Sequence, residues 1–223
     1  MTGRKLCEPT NDLERLPMQG AIMEIQQVLQ FWFGPSINST TASTQASLWW
    51  RKQPEVDQQI REDFADGLRG LKQGEYSDWL QTVSGRLAAI IVLDQFSRNM
   101  YRDTAQAFAQ DELALRWCLE GLEDSIDLQL EPVERVFFYL PLEHSEDMQM
   151  QDLSCRKFAE LLDDNINTDS SPSDGTYEGF YRYAERHRDV IQKFGRFPHR
   201  NKILGRVSTE MEQEYLDTPG SGF

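Results

Sequence analysis

The residues able to do chemistry in this chain fall into three short polar stretches. The first is Asp94-Gln95-Phe96-Ser97-Arg98-Asn99-Met100-Tyr101-Arg102. Asp94 and Arg98 stand four residues apart, the spacing at which a carboxylate and a guanidinium meet on one face of a helix. The pair has two readings: an internal ion pair that ties a helix end to the following turn, or a donor array in which Arg98, Asn99 or Arg102 meets an anionic ligand. Arginine's planar fork suits a carboxylate or phosphate. The second stretch is Glu143-His144, where two helical segments join. A histidine beside carboxylates can work as a general acid or base, with Glu143 orienting it. The third is Phe194-Gly195-Arg196-Phe197-Pro198-His199-Arg200-Asn201-Lys202 and its continuation to Gly205, a polar loop between aromatics and glycines. Arg196, His199, Arg200 and Asn201 are its candidate contact groups. His187 stands in an apolar helical stripe, where it is either a satisfied core histidine or a further member of the site.

Several other chemistries find no support. His144, His187 and His199 are not spaced as an i,i+4 pair, and neither HExxH nor a cysteine pair is present, so no metal site is expected. Ser145 lacks a nucleophile-elbow context, and there is no glycine-rich phosphate loop or dinucleotide fingerprint. No cofactor is expected.

The chain has 223 residues, a formal charge of −14 and 39% hydrophobic residues. That is one well-buried domain's worth of sequence, taken here as residues 21–223 after a flexible extension over 1–20. The acidic balance disfavours a nucleic-acid partner, which needs a basic face, but leaves room for a local basic pocket. Cys7, Cys118 and Cys155 are unpatterned, as expected of free thiols in a reducing compartment. No apolar run is long enough for a bilayer, so a cytoplasmic protein without a membrane partner is expected.

The elements that must position these groups are all helical. Ile22, Ile25, Val28, Leu29 and Trp32 mark a first helix ended by Gly34-Pro35, and the Ser/Thr-rich run 36–47 reads as a loop before a turn at Leu48-Trp49-Trp50. Pro54 opens a helix to Gly74. Residues 83–96 form the most apolar helix, expected to be covered on all sides. A helix is expected over 104–120 with Phe108, Leu115 and Leu119 inward. Another begins at Pro132 and bends or ends at Pro141. Ser145 is expected to cap a helix over 146–163, with Glu146 and Asp147 in its first turn, followed by a polar loop over 163–175. A long helix spans 177–194, and Ser208 or Thr209 caps a last one ending near Leu216. No stretch alternates as a strand does, so the chain reads as all-α, either an irregular bundle or a degenerate array of helical hairpins.

Four groups of motifs carry a family resemblance. They are Val28-Leu29-Gln30-Phe31-Trp32-Phe33-Gly34, Leu93-Asp94-Gln95-Phe96-Ser97-Arg98-Asn99, Phe138-Tyr139-Leu140-Pro141-Leu142-Glu143-His144-Ser145-Glu146-Asp147, and Arg186-His187-Arg188-Asp189 running on to Arg196-Phe197-Pro198-His199-Arg200-Asn201. With these the chain resembles the bacterial domain-of-unknown-function family 924 over residues 21–223. The resemblance implies a tetratricopeptide-like array of antiparallel helical hairpins and no particular activity. Ser97 stands where the family usually has proline.

Three functions then compete. The polar stretches converge on one cleft that binds a small anionic or zwitterionic ligand or a peptide end; or the same cleft is an enzyme's, with His144 or His199 as acid–base; or the polar groups are internal staples of a protein–protein scaffold. Both site readings require the three stretches to converge on one solvent-reachable cleft, with Arg98, Glu143, His187 and His199 within about 15 Å of one another and not sealed in mutual pairs.

Overall fold

The computed structural model describes residues 23–37, 41–165 and 176–221, and every regular element among them is helical. None of these helices is long and apolar enough to cross a membrane. Helix α1 (Ile25–Phe33) buries Val28, Leu29, Trp32 and Phe33 and stops at Gly34. Gly34 takes φ +86°, where a side chain would be strained. Ile22, expected on the same face, lies outside the described residues.

The expected loop over 36–47 is corrected: residues 41–47 belong to helix α2 (Thr41–Trp50), while 38–40 lie outside the described residues. Serine and threonine are modest helix formers. Here the helix is held from its far end. Trp49 is buried against Phe33 and Phe137, and its indole N–H donates to the Trp32 carbonyl at 2.9 Å. Tertiary burial overrides local propensity.

Helix α3 (Pro54–Gln73) begins on a first-turn proline and ends on left-handed Gly74, with Ile60, Phe64, Leu68 and Leu71 buried. The apolar core helix is α4 (Val83–Ile91), which runs through a widened π-turn, Val92–Phe96, into α5 (Ser97–Met100). Residues 87–93 have no exposed surface, and α4 packs on α1, α6 and α7. A π-turn inserts an extra residue into the helical repeat and often marks a functional segment. This one carries Asp94 and Gln95, so a single rod leads from the apolar centre to its first polar groups.

The continuous helix expected over 104–120 is also corrected. A 3-10 turn at Ala105–Phe108 precedes helix α6 (Asp111–Glu123), whose buried face is Ala114, Trp117, Cys118 and Gly121. Phe108, Leu115 and Leu119 are only half-buried. Gly121 sets the face inward, since a Cβ there would meet Arg86 and Phe138 at 2.7 Å. The break places Asp111 at the head of α6.

Helix α7 (Pro132–Glu143) does not end at Pro141 but continues through it. The lost backbone donor is outweighed by full burial of Phe137, Phe138 and Leu142 on both sides of the proline. Helix α8 (Met148–Asn165) is capped by Asp147, whose carboxylate accepts from Gln149 N at 2.8 Å and Met150 N at 3.1 Å. The expected Ser145 cap is replaced: its hydroxyl accepts from Asp147 N at 3.3 Å. Residues 166–175 of the expected polar loop lie outside the described residues. Helix α9 (Tyr177–Phe194) has the expected bounds, with Thr176 as cap and left-handed Gly195 as stop. Helix α10 (Glu210–Leu216) opens with a Thr209/Glu212 capping box. Helices α7, α8 and α9 pack in succession. One core runs from Met23 to Ala184, and a smaller apolar cluster of Val190, Ile191 and Phe197 lies beneath the C-terminal segment.

Candidate functional site

A cleft of about 360 Å³ opens where the C-terminal ends of α2 and α7 meet α5 and the middle of α9. Of the residues singled out in the sequence, Arg98, Asn99, Arg102, Glu143, His144 and His187 line it. Arg98 and Asn99 stand on α5, and Arg102 lies in the turn just beyond its end. Glu143 and His144 are the last residue of α7 and its C-cap. His187 is two turns before the end of α9, on the face that also buries Ala184 and Ile191.

Asp94 organises the floor. It is 1% exposed, and its carboxylate meets Arg98 Nη1 at 3.0 Å, His144 Nδ1 at 2.8 Å and Gln95 Nε2 at 2.6 Å. Burial alone would raise its pKa; Arg98 and His144 outweigh burial and hold the carboxyl well below the usual range. The expected Asp94–Arg98 pair is therefore present. Arg98 is further engaged by Asp111 in a two-pronged contact of 2.9 and 3.0 Å. Arg102 is held in the same way by Asp57 at 2.7 Å, with Asn99 donating to Asp57 at 2.8 Å.

An ionised carboxylate only accepts, so the proton between Asp94 and His144 sits on Nδ1. Burial, and then the Arg98 cation, lower the His144 pKa, with Asp94 opposing. The imidazole is thus neutral at neutral pH, and its lone pair is on Nε2. Nε2 makes no hydrogen bond among the described residues. With Nδ1 directed at buried Asp94, the edge of the ring that lines the cleft carries Nε2. His187 gives its Nδ1 proton to the Tyr183 carbonyl at 2.9 Å, and burial keeps it neutral. Its ring stands edge-on to His144 at 6.3 Å.

Glu143 is 4% exposed; its backbone carbonyl accepts from Gln151 Nε2 at 2.7 Å, but its carboxyl accepts no hydrogen bond among the described residues, and His187 Nδ1 is 3.3 Å from it with its proton directed elsewhere. Burial, and then the charge of Asp94, push its pKa up to about 8. Glu143 is a carboxylic acid at neutral pH and can donate.

The loop over 194–205 meets a residue of this cleft through Phe197, whose ring stands edge-on to His187 at 5.5 Å. Arg196 grips Glu212 at 2.6 and 2.7 Å, and Arg200 reaches Asp111 at 3.3 Å. Asn201 is fully buried between Ser208 and Arg206, while Arg206 and the Phe197 N–H both hold Glu146. His199 lies against the Phe197 ring at 5.6 Å, and burial together with Arg200 depresses its pKa to about 4. None of Arg196, His199, Arg200 and Asn201 lines the cleft. The loop acts on it from behind, because Asp111 joins Arg200 to Arg98.

Sequence reasoning missed the mouth. Trp50, Arg51 and Lys52 line it, with Phe180 and Tyr183 opposite. Trp50 is 41% exposed and stacks on Phe137 at 5.8 Å. Arg51 is exposed and makes no ion pair or hydrogen bond among the described residues. The signals were an aromatic followed by two cations just before Pro54, and the i−4 and i−7 spacing of Tyr183 and Phe180 from His187. Among the described residues, no group of three or more His, Cys, Asp or Glu side chains is arranged to hold a metal ion.

None of the curated proteins compared with the chain matches it significantly. A solved structure described as a protein of unknown function, ATU0120 from Agrobacterium tumefaciens, is similar: it shares 32% identity at a TM-score of 0.70, over 86% of this chain and 96% of that one. The family model for bacterial proteins of unknown function DUF924 matches residues 28–220, which includes every residue of the cleft. The chain belongs to the DUF924 family.

Proposed function

We propose that the protein binds a small carboxylate- or phosphate-bearing molecule in this cleft. The observation that carries the reading is an exposed cation, Arg51, that lines the cleft and makes no ion pair among the described residues. The chain has a net charge of −14, yet four cations line the cleft, Arg51, Lys52, Arg98 and Arg102, while its one carboxyl, Glu143, is neutral at neutral pH. Low-dielectric walls focus such a field and draw anions in. Asp57, Asp94 and Asp111 stand behind Arg98 and Arg102 and neutralise them, so the free charge at the mouth is supplied by Arg51, with Lys52 in a weak surface pair with Asp103. Trp50 and Phe180 supply an apolar wall for the body of the ligand. The internal-staple reading describes the 194–205 loop, whose arginines and asparagine are bonded within the fold.

The test is a titration of intrinsic tryptophan fluorescence with succinate and with inorganic phosphate, with Trp50 as reporter. Saturable binding is expected, weakened roughly tenfold by Arg51→Ala, as for loss of one charge-assisted contact. No saturable change with either anion, or equal affinity in the variant, would remove the anion-binding reading.

A further inference from the structure

An anion-binding cleft has no use for a hydrogen-bond acceptor, yet this one presents a fixed one. Asp94 holds the proton of His144 on Nδ1 at 2.8 Å, and Asp94 is itself fixed by Arg98 at 3.0 Å and Gln95 at 2.6 Å. The lone pair of Nε2 therefore faces a space whose other polar groups are mainly donors. An anion there is repelled; a water or hydroxyl proton is attracted. The carboxylic acid of Glu143, one residue away, lines the same space and accepts nothing among the described residues. The site thus pairs a group ready to take a proton with one ready to give a hydrogen bond, in different environments set by the fold.

The lining also narrows the kind of reaction. No serine, threonine or cysteine side chain lines the cleft among the described residues. Glu143, when protonated, is a poor nucleophile, and Lys52 is exposed and paired with Asp103. A covalent intermediate on the protein has no obvious carrier, which leaves water as the nucleophile that a base at His144 would activate.

We propose that the cleft hydrolyses a carboxylate-bearing ester, with His144 as general base on water. The inference rests on the anion-binding reading above, in which Arg51 and Lys52 hold the carboxylate and Trp50 receives the apolar part of the ester. As the water oxygen bonds to the acyl carbon, one water proton moves to His144 Nε2, and the imidazolium is stabilised by ionised Asp94. Glu143 donates a hydrogen bond to the carbonyl oxygen as negative charge develops there, and keeps its proton. The acyl C–O bond then breaks, and the leaving alkoxide takes the proton from His144. Ester and water give acid and alcohol, and the protein is returned unchanged.

The probe is para-nitrophenyl hydrogen succinate, with para-nitrophenyl acetate as the uncharged comparison, followed by release of nitrophenolate. The wild-type protein is expected to hydrolyse the hemisuccinate faster than buffer does, and in preference to the acetate. His144→Gln should lose about 100-fold or more of kcat/KM, the contribution of one general base, while retaining the wild-type circular dichroism spectrum. A second measurement needs no variant: diethyl pyrocarbonate should acylate His144 Nε2 and abolish turnover, and succinate should protect. Succinate binding without hydrolysis would leave the anion-binding reading standing and overturn this one. Hydrolysis unchanged in His144→Gln or after diethyl pyrocarbonate treatment would overturn it as well. Absence of both binding and hydrolysis would overturn both.

Discussion

Glu143→Gln isolates the least ordinary group in the molecule, and its effect on stability can be worked out in advance. The carboxyl titrates near 8 in the folded chain and near 4.5 when unfolded. Below pH 4.5 both states hold the proton, and the glutamate takes nothing from stability. Between 4.5 and 8 only the unfolded state releases it, so stability falls as pH rises, by about 1.4 kcal/mol per pH unit. Above 8 both states are ionised and the loss is complete, roughly 5 kcal/mol in all. Glutamine has the shape and neutrality of the protonated acid and releases no proton. The stability of the variant minus that of wild type should therefore be small at acidic pH and rise steadily, reaching several kcal/mol in favour of the variant near pH 8. His144 and His187, kept neutral by burial, lose stability below their ordinary value of 6.5 in both proteins, so their effect cancels in the difference. The assay is urea unfolding of both proteins, followed by tryptophan fluorescence, at intervals from about pH 5 to pH 9, with the slope against urea checked for constancy. A difference that does not change with pH would refute the reasoning. It would mean that Glu143 is ionised in the folded state, balanced by a protonated His187 at 3.3 Å, and the donor role assigned to Glu143 would go with it.

Other substitutions separate the groups that hold the fold from those that face the cleft. Arg98→Met leaves Asp94 and Asp111 without their shared guanidinium, and urea unfolding should show a loss of about 3–5 kcal/mol, the usual cost of stranding a buried charge; a loss no greater than that of a surface substitution would show that Asp94 does not depend on Arg98 for its counter-charge. Asn201→Ala removes both the donor to Ser208 and the acceptor for Arg206 and should cost about 1–3 kcal/mol in stability. The same variant should bind succinate as wild type does; weakened binding at unchanged stability would place the 194–205 loop in the site after all.

Much of the fold was legible because its signals are local. Pro54 and Gly74 bracket α3, and Thr176 and Gly195 bracket α9, each around an apolar stripe of helical period. The Asp94–Arg98 pair was legible for the same reason, as an i,i+4 contact. The rest failed where the deciding partner is remote in sequence. Residues 41–47 are helical because Trp49 is anchored to Trp32, 17 positions away. His144 meets Asp94 across 50 residues, and Arg200 meets Asp111 across 89. A run of arginines beside prolines and glycines looks like an exposed contact surface when its carboxylate partners cannot be seen. In the fold those partners, Glu212, Asp111 and Glu146, pair with Arg196, Arg200 and Arg206. Arg51, which makes no ion pair among the described residues, was the less conspicuous residue in the sequence and is the more exposed one in the structure.

Asp94 shows that staple and site need not be rival descriptions. A carboxylate 1% exposed at the end of an apolar helix has to be neutralised. Arg98, one turn on, is a sufficient counter-charge, and Gln95 already donates to the second oxygen. A fold that needed only to bury Asp94 would be complete with those two, and any apolar side chain of similar volume at position 144 would serve it. The histidine there adds a third contact that the carboxylate does not need for neutrality. It also incurs the cost of burying an imidazole, visible as its lowered pKa. What that cost secures is an imidazole of fixed tautomer and orientation whose remaining nitrogen opens on a cation-lined cleft. The ion pair belongs to the fold, and the histidine resting on it is the part that lines the cleft.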